Sequence, residues 1–353
     1  MLKIGPTTFA LAGVAAAVIA LAQGNAGIPP GTTPYKLAVP IGFPQPNIPS
    51  DNLLTNEGVA LGKRLFSEKK LSGNGKQACV SCHKPEGAFS DTGKSVSTGS
   101  TGIQGTRNAP ALFNLVYQRS YFWDGRSHSL REQALVPIQN PIEMNQTLDG
   151  AISNLKSDPT YVSAFAGAFG SKGITAERIA KALEQYETTI LFGGSKYDLV
   201  QRGLASLTTQ EQRGLTLFLT PYNPKKGQFG ADCARCHSGE NFSDFCFRNN
   251  GLDSNPKDPG REGVTGLATD FAKFKTPSLR NLTVTGPYMH DGRFATLAEV
   301  INHYSSGIEQ SATLDSKLAS EPGGVQLSPS DQAALIAFLK TLVEPQFINS
   351  NKP

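Results

Sequence analysis

The sequence predicts a mostly α-helical protein made of two copies of one domain, each closed around a large non-peptide group, with long loops between the helices. Three observations carry this expectation. The pentapeptide Cys79-Val80-Ser81-Cys82-His83 returns 154 residues later as Cys233-Ala234-Arg235-Cys236-His237. Shorter stretches return in the same order. Phe89-Ser90-Asp91 reappears as Phe242-Ser243-Asp244 at an offset of 153, while Pro110-Ala111-Leu112-Phe113-Asn114 matches Pro277-Ser278-Leu279-Arg280-Asn281, and Asp124-Gly125-Arg126 matches Asp291-Gly292-Arg293, both at 167. Apolar residues recur at helical spacing, and 36 glycines with 23 prolines imply much loop. A period this long marks a duplicated domain rather than a solenoid.

The pentapeptide names the group. Two thiols two residues apart can add to the vinyl groups of a porphyrin, and the imidazole of the next residue reaches the iron from one face. Cys79, Cys82, Cys233 and Cys236 are therefore attachment points for two haem c groups, with His83 and His237 as the proximal iron ligands. Zinc ligation or a redox disulfide are the alternatives, but a zinc site of four thiolates does not need a His directly after each pair. The expected fold is two cytochrome c-like domains, each wrapping one covalently bound haem c.

Individual elements follow from local pattern. Residues 57–66 carry apolar side chains at helical spacing, and residues 175–192 repeat Ile179, Leu183, Tyr186 and Ile190. Thr208-Thr209-Gln210-Glu211 is a capping box opening a helix to Leu219, and a last helix follows Ser328-Pro329-Ser330-Asp331. Gly193-Gly194 and the polar stretch after it separate an N-terminal domain, 27–205, from a C-terminal one, 206–353.

The start of the chain reads as an export signal. Lys3 precedes a charge-free run, and Ala20-Leu21-Ala22 and Gly24-Asn25-Ala26 offer cleavage sites, so residues 1–26 are expected to direct the protein to the periplasm. An uncleaved anchor is the alternative, and no later segment is apolar enough to span a bilayer. A net charge of +4 without a basic cluster argues against nucleic acid as a partner. Cys246, between Phe245 and Phe247, reads as a small buried apolar residue.

From residue 56 to residue 342 the chain resembles the bacterial dihaem cytochrome c peroxidases and their MauG-like relatives. The resemblance rests on Arg107-Asn108-Ala109-Pro110, Phe122-Trp123-Asp124-Gly125-Arg126, Asn140-Pro141-Ile142-Glu143-Met144 and Pro287-Tyr288-Met289-His290-Asp291-Gly292, together with the two haem motifs. It implies that hydrogen peroxide reacts at the N-terminal haem. It also implies that Glu143 is the acid-base catalyst and Gln133 orients the peroxide; a carboxyl group in a haem pocket can have its pKa raised into a useful range. A solvated helix residue is the plainer reading of Gln133.

Many relatives carry a His in the loop before Arg-Asn that blocks the first iron, whereas here residues 97–105 contain none. His128 reads as surface sequence beside a helix start, so the first haem is expected to be five-coordinate at rest. For the second haem the candidates are Met289, His290, His303 and Tyr304. Tyr304 matches the MauG-like branch, and at the 167 offset it falls opposite Pro137, which cannot bind iron. A phenolate favours ferric iron, whereas Met289 would raise the potential. Trp123, the single tryptophan, reads as a core aromatic, and the resemblance makes it a charge relay between the haems. The resemblance further implies a calcium ion held by Asn108, Thr285 and Pro287.

The expected function is a periplasmic dihaem peroxidase that reduces hydrogen peroxide to water with electrons from a small redox protein, a cytochrome c or a cupredoxin. Two alternatives stand beside it. One is a MauG-like oxidase acting on a protein substrate through a high-valent iron state; the residue two before Cys233 is Ala231, where MauG places a relay Trp. The other is a dihaem electron carrier without peroxide chemistry. Family members are commonly dimers, so a homodimer stays open.

Overall fold

The computed structural model describes residues 28–321 and 323–348, so the expected export signal lies outside the described residues. Its helices are α1 (Asn56–Phe66), α2 (Cys79–Cys82), α3 (Leu130–Gln139), α4 (Leu148–Lys156), α5 (Pro159–Phe169), α6 (Ala176–Thr188), α7 (Lys196–Gln201), α8 (Thr209–Leu219), α9 (Glu262–Thr265), α10 (Leu297–Ser306), α11 (Ser316–Ala319), α12 (Pro329–Lys340) and α13 (Pro345–Ile348). Two antiparallel pairs of short strands join them, β1 (Tyr222–Asn223) with β2 (Gln228–Phe229) and β3 (Phe247–Arg248) with β4 (Phe274–Lys275). None of the described helices is long and apolar enough to cross a membrane.

Both halves are organised on the same helix crossing. Thr55 caps α1 by accepting from Gly58 N, and the helix buries Leu61, Leu65 and Phe66 where it packs along α6. Gly62 lies so close to the Ala182 carbonyl that a Cβ would collide with it. In the second half α8 packs along α12, and Gly214 meets the Ala334 carbonyl in the same way. Glycine is what lets each pair of helix backbones approach so closely. The capping box of Thr208 and Glu211 and the Ser328 cap both form as their sequences predict.

The repeated motifs also share backbone conformation. Asn114 and Asn281 are left-handed at φ 53° and 59°, Phe122 and Met289 at 65° and 73°, and Gly125 and Gly292 at 71° and 68°. Tyr121 and Tyr288 donate their hydroxyls to the carbonyls of Leu115 and Leu282, at 3.2 and 2.7 Å. One hydrophobic core holds α1 and α6, a second holds α8 and α12, and a third is shared by both halves through Phe113, Phe192, Val284 and Phe347.

Two expectations need correction. The helix expected over 175–192 ends at Thr188, because Asn114 captures the chain beyond it. Asn114 N donates to Ile190 O, its side-chain amide donates to Phe192 O, and its Oδ1 accepts from Phe192 N at 2.8 Å. Ile190 and Phe192 are thereby turned into the shared core. Cys246 is exposed, not buried. Phe245 takes a left-handed turn at φ 54° and lines the central cavity, and Phe247 lies under the Arg261 guanidinium, so the two rings are used on other contacts and leave the thiol between them uncovered.

Candidate haem sites and the cavity between them

A cavity of about 990 Å³ runs through both halves, and every cysteine and histidine of the two Cys-x-x-Cys-His motifs lines it. The four thiols are free, and among the described residues no cluster of three or more His, Cys, Asp or Glu gathers around one point as a zinc site would require. His83 Nδ1 lies 3.1 Å from Phe89 O and His237 Nδ1 lies 3.0 Å from Phe242 O. A carbonyl can only accept, so each Nδ1 carries the proton and each Nε2 is left with its lone pair. Burial lowers the pKa of both imidazoles, His237 to about 4, and so keeps them in the metal-binding neutral form. Two thiols and one directed imidazole on each side fit the attachment of one haem c per half.

In the first half α3 and the turn after it supply the polar groups. Ser129 caps α3, which buries Gln133, and the Gln133 Oε1 has no partner. Gln133 is therefore a cavity residue and not a solvated one. Glu143 lines the same cavity, with its Oε1 accepting from Asn140 Nδ2 at 2.6 Å. Burial raises its pKa, while the Asn140 hydrogen bond and the Arg126 charge oppose the rise. The loop 97–105 folds onto this turn: Ser100 N donates to Glu143 O at 2.6 Å, and Gly99 passes so near Ile142 O that no side chain would fit. His128 is exposed and does not line the cavity.

In the second half Met289, His290 and Tyr304 line the cavity, whereas His303 is buried elsewhere with Nε2 on Asn250 O at 3.0 Å. The His290 ring stacks on Phe274 at 3.7 Å between centroids. Burial pushes the Tyr304 phenol up to about 12, and the Asn250 amide opposes that rise. Asn250 Nδ2 lies 3.3 Å from Tyr304 Oη and 3.5 Å from Met289 Sδ.

Between the halves, Trp123 lines the cavity and donates Nε1–H to Asn108 O at 2.8 Å, while its own carbonyl accepts from Lys275 N at 2.7 Å. Arg107 joins Asp124 of the first half to Asp258 of the second at 2.6 and 2.7 Å. Asn108 Nδ2 donates to Lys94 O and Ser95 O. Asn108, Thr285 and Pro287 all line the cavity.

Comparison with known proteins agrees with this geometry. A family model described as di-haem cytochrome c peroxidase matches residues 56–206. The methylamine utilization protein MauG of Methylorubrum extorquens is 36% identical over 85% of this chain and 82% of its own. The chain belongs to the di-haem cytochrome c peroxidase family. The cytochrome c551 peroxidase of Nitrosomonas europaea is 34% identical over 81% of this chain and 80% of its own. A crystal structure of a MauG-like protein associated with microbial copper homeostasis superposes with a TM-score of 0.79 at 34% identity, covering 89% and 98% of the two chains. Membership implies two haem groups, and the mostly helical, cytochrome c-like fold is that of the family.

Three cavity residues of this dihaem family member gave no motif signal. Glu187 of α6 is buried, its Oε2 has no partner, and burial beside the Glu184 charge pushes its pKa up to about 8. The Lys275 ammonium meets only neutral acceptors, Gln118 Oε1 at 2.5 Å and Ser120 O at 2.7 Å, and burial pushes its pKa down to about 7 against the Asp124 charge. Asn250 is the third. Glu187 could have been suspected as an acid on the apolar face of an amphipathic helix; nothing in the local sequence marks Lys275 or Asn250.

Proposed function

We propose that this dihaem enzyme is a peroxidase, reducing hydrogen peroxide to water at the His83 side of the cavity with electrons delivered by a small cytochrome c or cupredoxin in the periplasm. We place the domain boundary at Gly193-Gly194. The observation that carries the reading is the convergence of Gln133 and Glu143 on the first half of the cavity, with Pro137 standing where the second half has Tyr304. The haem irons, when bound, supply the electrons that break the O–O bond. Glu143 takes the proton from the oxygen of peroxide that stays behind and returns it to the oxygen that leaves, and a carboxyl group whose pKa burial has raised serves both halves of that transfer. Gln133 offers its amide to hold the peroxide, and its unpartnered Oε1 is consistent with a group kept for a ligand. Loop 97–105 anchors the Glu143 backbone through Ser100 N, and Asn140 holds the carboxyl group.

In the second half His237 and Tyr304 would hold the haem iron in this reading, Tyr304 supplying a hard anionic oxygen that favours the ferric state. Trp123 passes charge between the halves, held by its bond to Asn108 O. A calcium ion held by Asn108 Oδ1 and the carbonyls of Thr285 and Pro287 would place positive charge beside that relay.

Tyr304 also favours a second reading, a MauG-like oxidase acting on a protein substrate. Ala231 disfavours it, because a small apolar side chain cannot relay an electron to a docked protein. Steady-state peroxide turnover with a reduced cytochrome c decides the matter. Fast turnover supports the peroxidase, slow turnover with an accumulating oxidised state supports the oxidase, and none overturns both.

A further inference from the structure

One amide serves two side chains able to bind iron. Asn250 Nδ2 reaches Tyr304 Oη at 3.3 Å and Met289 Sδ at 3.5 Å. A primary amide nitrogen has two N–H bonds, so each contact can have one. A thioether sulfur only accepts, which makes nitrogen the side-chain atom of Asn250 that suits both neighbours. The segment that carries this amide is fixed from several sides. Asn250 O accepts from His303 Nε2 at 3.0 Å, Gly251 O accepts from Glu309 N at 2.9 Å, and Asn249 O accepts from Asp315 N at 3.0 Å. Asn249 Nδ2 adds bonds to the hydroxyls of Ser311 and Thr313. His303 is the residue before Tyr304, so Asn250 grips both ends of the His303-Tyr304 pair, one with its backbone and one with its side chain.

We infer that Asn250 is a positioning residue for the second haem: its amide sets how strongly the Tyr304 oxygen donates to iron. An N–H bond to a phenolate draws charge from the oxygen, so the ferric state is stabilised less than it would be by an unbonded phenolate. The second N–H bonds the Met289 sulfur, which fixes the orientation of the amide toward Tyr304. The inference rests on the reading of Tyr304 as the sixth ligand.

The test uses the haem-loaded protein with Asn250→Leu, which keeps the branched side-chain skeleton and removes both donors, and Asn250→Asp, which replaces a donor by an acceptor. The readouts are the midpoint potential of the second haem and its ferric absorption and EPR spectra, with Tyr304→Phe measured in parallel. Hydrogen bonds to charged groups are worth enough to shift the ferric-to-ferrous equilibrium roughly ten-fold. The second-haem potential falls by the amount equivalent to that ratio in Asn250→Leu and further in Asn250→Asp, while the first haem and the thermal midpoint stay as in wild type. Should the Leu variant fail to take up haem, the Asp variant still decides. Wild-type potential and spectra in the Asn250 variants, with an altered spectrum in Tyr304→Phe, overturn the role of Asn250 alone. An unchanged spectrum in Tyr304→Phe overturns the ligand reading beneath it.

Discussion

Pro137 and Tyr304 occupy the same position on two copies of one helix. Helices α3 and α10 are both ten residues long, each is opened by a hydroxyl cap, Ser129 or Thr296, and both residues line the central cavity. The copy in the first half offers a ring with neither N–H nor oxygen, whereas the copy in the second half offers a phenol. A duplicated scaffold has thereby been made unequal at one residue, which suits one iron left open for an oxidant and one closed for electron storage. Tyr304→Phe should convert the second ferric haem from six- to five-coordinate in its absorption and EPR spectra. An unchanged spectrum would assign the sixth position to Met289 or His290.

In the proposed reaction Glu143 carries the proton transfer, so its removal should be felt in turnover rather than in folding. General acid-base groups contribute about 10²- to 10⁴-fold, so Glu143→Gln should lower kcat for peroxide by that range while leaving haem content and spectra intact. The wild-type pH profile should rise through a pKa above the usual carboxylate range, because burial raises that of Glu143 and the base must be ionised to accept a proton. In the Gln variant this limb should vanish. Full turnover in Glu143→Gln would remove the residue from the mechanism.

Glu187 sets a pH dependence of stability. Its pKa is raised from 4.5 to about 8, so between those values the folded chain holds a proton that the unfolded chain has released. Stability is therefore greatest below this window and declines as pH rises through it. The thermal midpoint of wild type should fall more between about pH 5 and pH 8 than that of Glu187→Gln, whose side chain carries no charge at either pH. Equal pH dependence in the two proteins would show that Glu187 is solvated or paired when haem is bound.

Much of this molecule was legible because its chemistry is written in contiguous motifs. Attachment of two haems needs two thiols and an imidazole at fixed spacing, and the duplicated turns place Asn or Gly at two of their left-handed positions, so Asn114, Asn281, Gly125 and Gly292 show in the chain as they do in the fold. The end of α6 was not legible, since what stops it is Asn114, 74 residues earlier. Lys275 and Asn250 owe their meaning to partners in other segments, Gln118, Ser120, Met289 and Tyr304, and no local pattern encodes those. Cys246 misled because two flanking phenylalanines look like a core from either face of a strand.

The helix crossings make a prediction in which one substitution has opposite signs at two places. Gly62-Lys63-Arg64-Leu65-Phe66 and Gly214-Leu215-Thr216-Leu217-Phe218 share the pattern Gly-x-x-Leu-Phe, and in each the glycine faces a backbone carbonyl of the partner helix, Ala182 or Ala334. A backbone atom cannot rotate away as a side chain can, so Gly214→Ala must push α8 from α12, at about 1–3 kcal/mol for overpacking. Gly167 lies within α5 and a Cβ there would meet nothing within 4 Å, so Gly167→Ala should gain about 0.4–1 kcal/mol by restricting the unfolded chain. Thermal or denaturant unfolding of the two variants beside wild type checks both signs. A Gly214→Ala protein as stable as wild type would mean that the crossing is looser than the contact of Gly214 with Ala334 implies, and the equivalence of the two halves at this point would fail with it.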